Sequence, residues 1–225
     1  MSERLPELVR LLHLASPALP VGAYSYSQGL EAAIESRIVR DAATAGAWIG
    51  DVLSLSVASC EAPILLRMIA AWEAGDKEAA TRWNDELLAT RETSELRAET
   101  CQMGYSLRRL LRSLWGDAAA PLEAFDEISY PSAFAFACAH WTIEPRAALA
   151  AYLWSWCENQ VIAAMKAVPL GQTDGQVLLV MLGERIPGAV ESACMRGDDE
   201  LENFAPGLAL ASARHETQYS RLFRS

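Results

Sequence analysis

The balance between helix-forming and strand-forming residues is the feature that most constrains this chain. Its 225 residues include 39 alanines and 29 leucines, against 27 valines, isoleucines and threonines together. Alanine and leucine lose little side-chain freedom in a helix, whereas β-branched side chains pack better on a pleated sheet. A chain of this length can also bury a large core without disulfides or a structural metal. These features predict an all-α protein: a single-domain bundle of roughly ten helices over residues 1–225, with a basic tail at about 206–225.

Apolar side chains recur at helical spacing along two long segments. Residues 94–115 carry a stripe on one helix face, with Ser94 as the expected N-cap. Residues 145–168 carry a broader stripe after Glu144, which predicts a central helix buried on most sides. The T-x-x-Q sequence at residues 173–176 has the spacing of a capping box. We expect further helices at about residues 4–14, 26–37, 42–58, 62–74, 77–91, 132–141, 175–183 and 187–195.

Charge and cysteine content limit the partners and the compartment. The chain has a net charge of −10 and a pI near 4.8, whereas a nucleic-acid binder needs a basic surface. Its longest stretch without a charged residue, 11–30, contains prolines, glycines and serines that a bilayer core penalises. Five scattered cysteines suit buried thiols in a reducing compartment. We therefore expect a cytoplasmic protein with protein partners, without nucleic-acid or membrane binding and without a signal peptide.

Sequence signatures of catalysis and of tight metal binding are missing. The sequence has no P-loop, no G-x-S-x-G, no H-E-x-x-H and no C-x-x-C. The three histidines lie far apart, and Cys138 and His140 are two positions apart, so on a helix they point to different faces. We therefore predict no catalytic residue, no metal ligand and no cofactor, and a protein that is not an enzyme.

Residues 16–31, here called the N-terminal segment, match neither a solvated loop nor a strand. Two prolines hold the chain extended, and a glycine permits an unusual backbone dihedral. Two tyrosines add amphipathic rings, which favour protein interfaces. Pro20, Gly22, Tyr24 and Tyr26 are therefore candidates for binding a partner. The alternative is that the segment fills a groove between helices of its own chain.

The tail at residues 206–225 is basic and aromatic, although the protein is acidic overall. It carries three arginines and a single acidic residue. This composition favours docking to a partner, with Arg214, His215, Tyr219 and Arg221 as the candidate residues. The alternative is a helix held within the chain, or a frayed end.

Four ordered blocks of sequence carry a family resemblance. They read LASPALPVGAYSYSQGLE at 14–31, ETSELRAETCQMGYSL at 92–107, WSWCENQVIAAMKAVPLGQTDGQ at 154–176 and APGLALASARHETQYSRLFRS at 205–225. Together they resemble the UreF family of urease accessory proteins over nearly the whole chain. The resemblance implies an all-helical homodimer that serves as a nickel-incorporation chaperone for urease and is not an enzyme. It also implies three partners: a second accessory protein (UreD or UreH), the GTPase UreG and the urease apoprotein.

Three functions are consistent with the sequence. In the first, the chain is a scaffold whose two ends contact the partners and which encloses no reactive pocket. In the second, it activates or regulates the GTPase UreG through an arginine, for which Arg214, Arg221 and Arg224 are candidates. In the third, cysteine or histidine side chains carry nickel directly, which equilibrium dialysis would detect. GTP turnover by UreG with and without this protein separates the first two, because only the second predicts acceleration.

Overall fold

The structure, a computed structural model, describes residues 4–225, and every regular element in this part of the chain is helical. The prediction of an all-α protein is therefore confirmed. Short 3-10 turns cover Ala23–Ser25, Gly116–Ala124 and Asp198–Glu200. The α-helices of residues 4–225 are α1 (Arg4–Leu14), α2 (Leu30–Glu35), α3 (Ala42–Val52), α4 (Ala62–Glu73), α5 (Lys77–Ala89), α6 (Ser94–Trp115), α7 (Tyr130–His140), α8 (Pro145–Ala167), α9 (Gln172–Gly183), α10 (Ile186–Met195) and α11 (Pro206–His215).

Helix α8 lies at the centre of the fold, as its broad apolar stripe predicts. It packs against α1, α2, α3, α4, α9 and α10. Leu149, Leu153, Cys157 and Val161, which follow one another at helical spacing, are all buried. Because neighbours surround α8, its position fixes where the two ends of the chain can lie.

Helices α3 and α4 form one continuous helix, because a π-helical stretch over Leu53–Glu61 joins them. The sequence pattern separates these helices near residue 60, since Pro63 lacks the backbone N–H that a regular helix uses. The wider π turns before Pro63 carry the helix past it. By length and composition Ala42–Glu73 could span a membrane, but 78% of its most apolar window is buried within the fold, as in a core helix.

Helices α6 and α7 approach each other closely at a glycine. A Cβ atom at Gly104 would lie 2.1 Å from the carbonyl oxygen of Ile128. The connection between α6 and α7 folds back on α6. Arg108 Nη1 donates to the carbonyl oxygen of Phe125 at 2.9 Å and holds the connection there.

The starts of three helices test the predicted caps. Glu144 caps α8 as expected, since its carboxylate accepts hydrogen bonds from two backbone N–H groups of the first turn. The N-cap of α6 is Thr93, whose hydroxyl accepts from the third backbone N–H, and Ser94 is already inside the helix. The predicted T-x-x-Q box is wrong. Helix α9 begins earlier, and Asp174 Oδ2 accepts from the N–H of Gly171 at 3.1 Å.

Candidate functional site

The N-terminal segment and residues 216–225, here called the tail segment, pack against each other. Arg224 N donates to the carbonyl oxygen of Ser25 at 2.8 Å, and Ser27 N donates to Ser225 O at 2.8 Å. The Ser27 hydroxyl also donates to Ser225 O, at 2.5 Å. Helix α11, which precedes the tail segment, packs on α2. The sequence leaves open whether the tail docks to a partner or is held within its own chain. In the structure, α11 and the tail segment are both held within the chain.

Two left-handed residues bend the N-terminal segment toward α11. Gln28 has a φ of 52° and Gly29 a φ of 75°, in the region that strains residues with a Cβ atom. A Cβ atom at Gly29 would lie 3.0 Å from Ser212 N of α11, so the glycine also permits a close backbone approach. This bend explains why α2 begins at Leu30, four residues later than the periodicity predicts.

A single carboxylate on α2, that of Glu31, holds the tail segment. It accepts hydrogen bonds from Leu222 N at 2.7 Å and from Phe223 N at 2.9 Å. The Nε2 atoms of His215 and Gln218 lie 3.3 and 3.4 Å from the same carboxylate. Because four groups converge on one side chain, Glu31 determines the path of the chain after α11.

His215 and Arg221 bind a second carboxylate, on α6. His215 Nδ1 lies 2.6 Å from Glu95 Oε2, and Arg221 Nη1 donates to Glu95 Oε1 at 2.6 Å. His215 is fully buried, whereas part of the Arg221 side chain is exposed. In this conformation His215 can affect a partner only by positioning the tail segment, and Arg221 contributes both to that position and to the surface.

Glu216 caps the start of α6 from the tail segment. Its Oε1 atom accepts from Ser94 N at 2.9 Å and from the Ser94 hydroxyl at 2.5 Å, with Glu95 N at 3.3 Å. The hydrogen bond from the Ser94 hydroxyl is the main cause that holds the pKa of Glu216 below its ordinary value. The negative charge of Glu216 therefore lies at the N-terminus of α6, where the helix dipole favours it, and this contact joins the tail segment to α6.

The predicted partner-binding residues fall into an exposed group and a covered group. Tyr24 is 65% exposed and Tyr219 is fully exposed, whereas Tyr26 is only 6% exposed. Burial is the main cause that raises the pKa of Tyr26. Gly22 is half-buried, and its φ of 81° begins the 3-10 turn that carries Tyr24. The exposed candidates are Pro20, Tyr24, Arg214, Tyr219 and Arg221; the covered ones are Gly22, Tyr26 and His215.

Lys166, at the end of α8, contacts both segments. Its Nζ atom lies 5.7 Å from the centre of the Tyr24 ring and 5.8 Å from that of Phe223. It also donates to the carbonyl oxygen of Tyr24 at 3.4 Å. These are cation–π distances. Sequence patterns give no indication of this role, because only the fold brings Lys166 between two segments that are distant in sequence.

A cavity of about 90 Å³ lies beneath the N-terminal segment and has ionisable walls. Glu61 forms a buried ion pair with Arg91, and the Tyr152 hydroxyl donates to Glu61 Oε1 at 2.5 Å. Glu99, on α6, lines the same cavity. This arrangement departs from the expectation of a chain that encloses no reactive pocket. Glu61 is flanked by apolar residues in the sequence, which is a signal that could have indicated it, whereas Arg91 and Glu99 have polar residues beside them.

The described residues offer no preformed metal site. Within residues 4–225 no three His, Cys, Asp or Glu side chains are grouped so that they could hold a metal ion. Cys60, Cys138 and Cys157 are buried, and burial raises the pKa of Cys157 to about 12. Buried thiols of this kind stay protonated and bind metals poorly.

Comparison with known proteins assigns the family. A family model described as UreF matches residues 39–183. The urease accessory protein UreF of Azoarcus sp. (strain BH72) is 58% identical over 223 residues, which cover 97% of this chain and 95% of the relative. The proteins of the same name from Dechloromonas aromatica (strain RCB) and Cupriavidus metallidurans are 54% and 53% identical, over 97% and 98% of this chain and 98% and 99% of their own. The chain belongs to the UreF family of urease accessory proteins.

Proposed function

We propose that this chain is a non-catalytic, single-domain cytoplasmic scaffold. It bridges the UreD/UreH accessory protein and the GTPase UreG while nickel is delivered to the urease apoprotein. The name of its relatives, urease accessory protein, supports the accessory role. The observation that carries the bridging role is that both ends of the chain form one joint surface with exposed tyrosines. Neither nucleic acid nor a membrane is a partner in this proposal, and the protein needs no cofactor of its own.

The chemistry of this surface suits a protein partner. Tyr24, Tyr219 and Leu222 expose large apolar groups, which supply contact area at interfaces. Lys166, at the end of α8, and Arg224, in the tail segment, are exposed at this surface of a protein whose net charge is −10. Complementary charge steers encounters and selects orientation. We therefore propose that the partner presents an acidic, partly apolar face to this surface.

The surface is preorganised, because the contacts of Glu31, Glu95 and Glu216 hold the tail segment before any partner binds. A partner that binds an ordered surface does not bear the entropy cost of ordering it. This supports a scaffold that presents a fixed template.

The binding proposal is tested at Tyr24 and Tyr219, whose side chains are exposed. We expect Tyr24→Ala/Tyr219→Ala to weaken binding of the UreD/UreH protein at least about tenfold, since an aromatic anchor is worth about 2 kcal/mol or more. Isothermal titration calorimetry measures the affinity, and an unchanged unfolding midpoint of the variant shows that the fold is intact. Tyr105→Ala, at an exposed tyrosine of α6, is the matched control and should bind normally. Wild-type affinity of the double variant would contradict the proposal.

We also propose that the chain forms a homodimer through α9. Residues 175–183 contain no charged residue, and while Leu178 and Leu182 are buried, Val177 and Val180 are 62% and 64% exposed. A helix that is apolar all round is normally covered on all sides. Two copies with a net charge of −10 each approach with least repulsion through an uncharged face, and a two-fold pair uses the same face twice. A second copy of the chain is therefore the occupant that we propose.

The dimer proposal predicts that Val177→Asp/Val180→Asp is monomeric at concentrations at which the wild type is dimeric. Two carboxylates placed on each copy would meet their own counterparts in the interface and repel them. Size-exclusion chromatography with multi-angle light scattering measures the mass. Leu210→Asp, at an exposed leucine of α11, is the control and should stay dimeric. A monomeric wild type, or an unchanged mass of the double variant, would show the proposal to be wrong.

Regulation of UreG through an arginine remains the alternative. An arginine that enters a nucleotide site must be free to leave its own chain. Arg221 is bound to Glu95 and to the carbonyl oxygens of Glu216 and Gln218. The contacts of Arg221 within its own chain support the scaffold, and Arg214 and Arg224 are left as the exposed candidates for the alternative.

A further inference from the structure

Glu99 is a buried carboxylate that joins the two ends of the chain. It is 4% exposed on α6. Its Oε1 atom accepts from Gln28 Nε2 at 2.8 Å, and its Oε2 atom accepts from the Ser225 hydroxyl at 2.7 Å. Both donors are neutral, so no cation is hydrogen-bonded to this carboxylate. Each segment thus contributes one hydrogen bond to the same buried group.

The contact on the N-terminal side includes a strained residue. Gln28 has a φ of 52°, and its side chain is held at both ends, because its Oε1 atom accepts from Trp156 Nε1 at 2.8 Å. Strained backbone persists where the surroundings fix it, and it concentrates at functional positions. Glu99 is one of the two side chains that fix it.

Several charged or titratable groups face Glu99 from the elements around it. The charge of Arg91, before α6, favours ionised Glu99, but Arg91 forms an ion pair with Glu61 of the π-helical stretch. Tyr152 of α8 donates to the same Glu61. From the two segments, Tyr26 feels the charge of Glu99 and contacts Arg224, and Ser225, which donates to Glu99, carries the carboxyl group of the last residue of the sequence. The buried pair of Arg91 and Glu61 is neutral as a whole, so Arg91 does not fully compensate the charge of an ionised Glu99.

Burial has a direct consequence for the ionisation of this group. It raises the pKa of Glu99 to about 7, against the smaller opposing effects of the hydrogen bonds from Ser225 and Gln28 and of the Arg91 charge. The Ser225 hydroxyl can accept as well as donate, so it can serve either form of the carboxyl group.

We propose that docking of the tail segment is coupled to uptake of one proton from solvent by Glu99. When the tail segment is docked, Glu99 is dry and its neutral form is favoured. When the tail segment lifts, Ser225 leaves and water reaches the carboxyl group, so the proton returns to solvent. The proposal rests on these contacts and not on the proposed scaffold function, so either can fail alone.

The direction of the pH effect follows from the pKa values of the two states. In the docked state the pKa of Glu99 is about 7, and exposure of the carboxyl group to water in the released state would return its pKa toward the ordinary 4.5. The docked state therefore binds more protons, and docking is favoured at low pH. It weakens progressively as the pH rises from 4.5 through about 7 and then changes no further.

Hydrogen exchange of the Arg224 amide tests the proposal, because this amide is bonded to Ser25 O and not to Glu99. Its exchange rate at each pH from 5.5 to 8, divided by that of an unstructured peptide, gives an opening constant. We expect this constant to rise at least about tenfold in the wild type across this range. In Glu99→Gln, which has the same shape and no titration, we expect it to stay constant.

Two controls make the outcome specific. His215 is another titratable group buried beside the tail segment, and His215→Gln should keep the pH dependence of the wild type. If Glu99→Gln does not fold, a carbon-13 NMR titration of the Glu99 carboxyl group in the wild type replaces it, with an expected midpoint near 7. Each of three results would overturn the proposal. They are an opening constant of the wild type that does not change with pH, a pH dependence in Glu99→Gln equal to that of the wild type, and an NMR midpoint at the ordinary value of 4.5.

Discussion

Replacement of Arg91 by methionine should lower the free energy of unfolding by about 3–5 kcal/mol, the range for breaking a buried ion pair on one side. Arg91 pairs with Glu61, and both side chains are largely buried. Without Arg91, Glu61 would keep only the hydrogen bond from the Tyr152 hydroxyl, at 2.5 Å. The Glu61 carboxylate would then be an uncompensated charge in a dry interior, or would have to take up a proton. Equilibrium urea unfolding measures the change.

A double variant and an exposed pair provide the controls for this prediction. Arg91→Met/Glu61→Gln should lose clearly less stability than the sum of the two single variants, because neither charge is left alone. Arg146→Met breaks the ion pair with Glu191, in which both side chains are about half exposed, and should cost no more than about 1 kcal/mol. Equal losses in the free energy of unfolding for Arg91→Met and Arg146→Met would show that the buried pair of Arg91 and Glu61 contributes no more than an exposed pair.

Replacement of Glu31 by alanine should open the tail segment about a hundredfold more often, with little effect on the helices beneath. The change removes the hydrogen bonds from Leu222 N and Phe223 N, and a hydrogen bond to a charged group is worth about 1.5 kcal/mol or more. Exchange of the Arg224 amide reports on docking, since this amide is not bonded to Glu31.

The matched control for this prediction lies on the same helix. Glu35 is exposed at the end of α2, and Glu35→Ala should leave tail-segment exchange unchanged. We also expect Glu31→Ala to weaken binding of the UreD/UreH protein, because a released tail segment must be ordered again on binding. Normal protection of the Arg224 amide in Glu31→Ala would mean that other contacts suffice to hold the tail segment.

The helices themselves were predictable from sequence because they depend on residues three or four positions apart. The predicted range 94–115 is that of α6, and α8 begins at Pro145 as expected and ends at Ala167, one residue early. The start of α2 was not predictable by this rule. Periodicity continues through Gln28 and Gly29, whereas the left-handed backbone there depends on contact with α11.

Contacts between distant parts of the chain have no local signature. A glutamate such as Glu99 on a polar-looking helix turn is normally exposed, and its burial here depends on Ser225, 126 residues later. Helix α1 shows the same limit. Its existence was predicted, but Leu8 and Leu12 are exposed, while Glu7 Oε1 accepts from the N–H of Glu144 and helps to hold the helix inward.

The candidate site was therefore only partly visible in the sequence. The tyrosines and arginines of the two chain ends indicated protein contacts, and Tyr24 and Tyr219 are exposed as such a role requires. That both ends belong to one surface, joined by Glu31 and Lys166, follows from tertiary contacts alone. The sequence could mark residue types that suit an interface, whereas their common location required the fold.

We propose that the joint surface of the two chain ends recruits the urease accessory partners. Urease activation in cells that lack this protein tests it most directly, when the cells are complemented with wild type, Tyr24→Ala/Tyr219→Ala or Tyr105→Ala at equal expression. Nickel content of the purified urease and its activity are the readouts. We expect the wild type and Tyr105→Ala to restore both, and the double variant to restore neither fully. Full restoration by the double variant would show that the exposed tyrosines of this surface are not needed for recruitment.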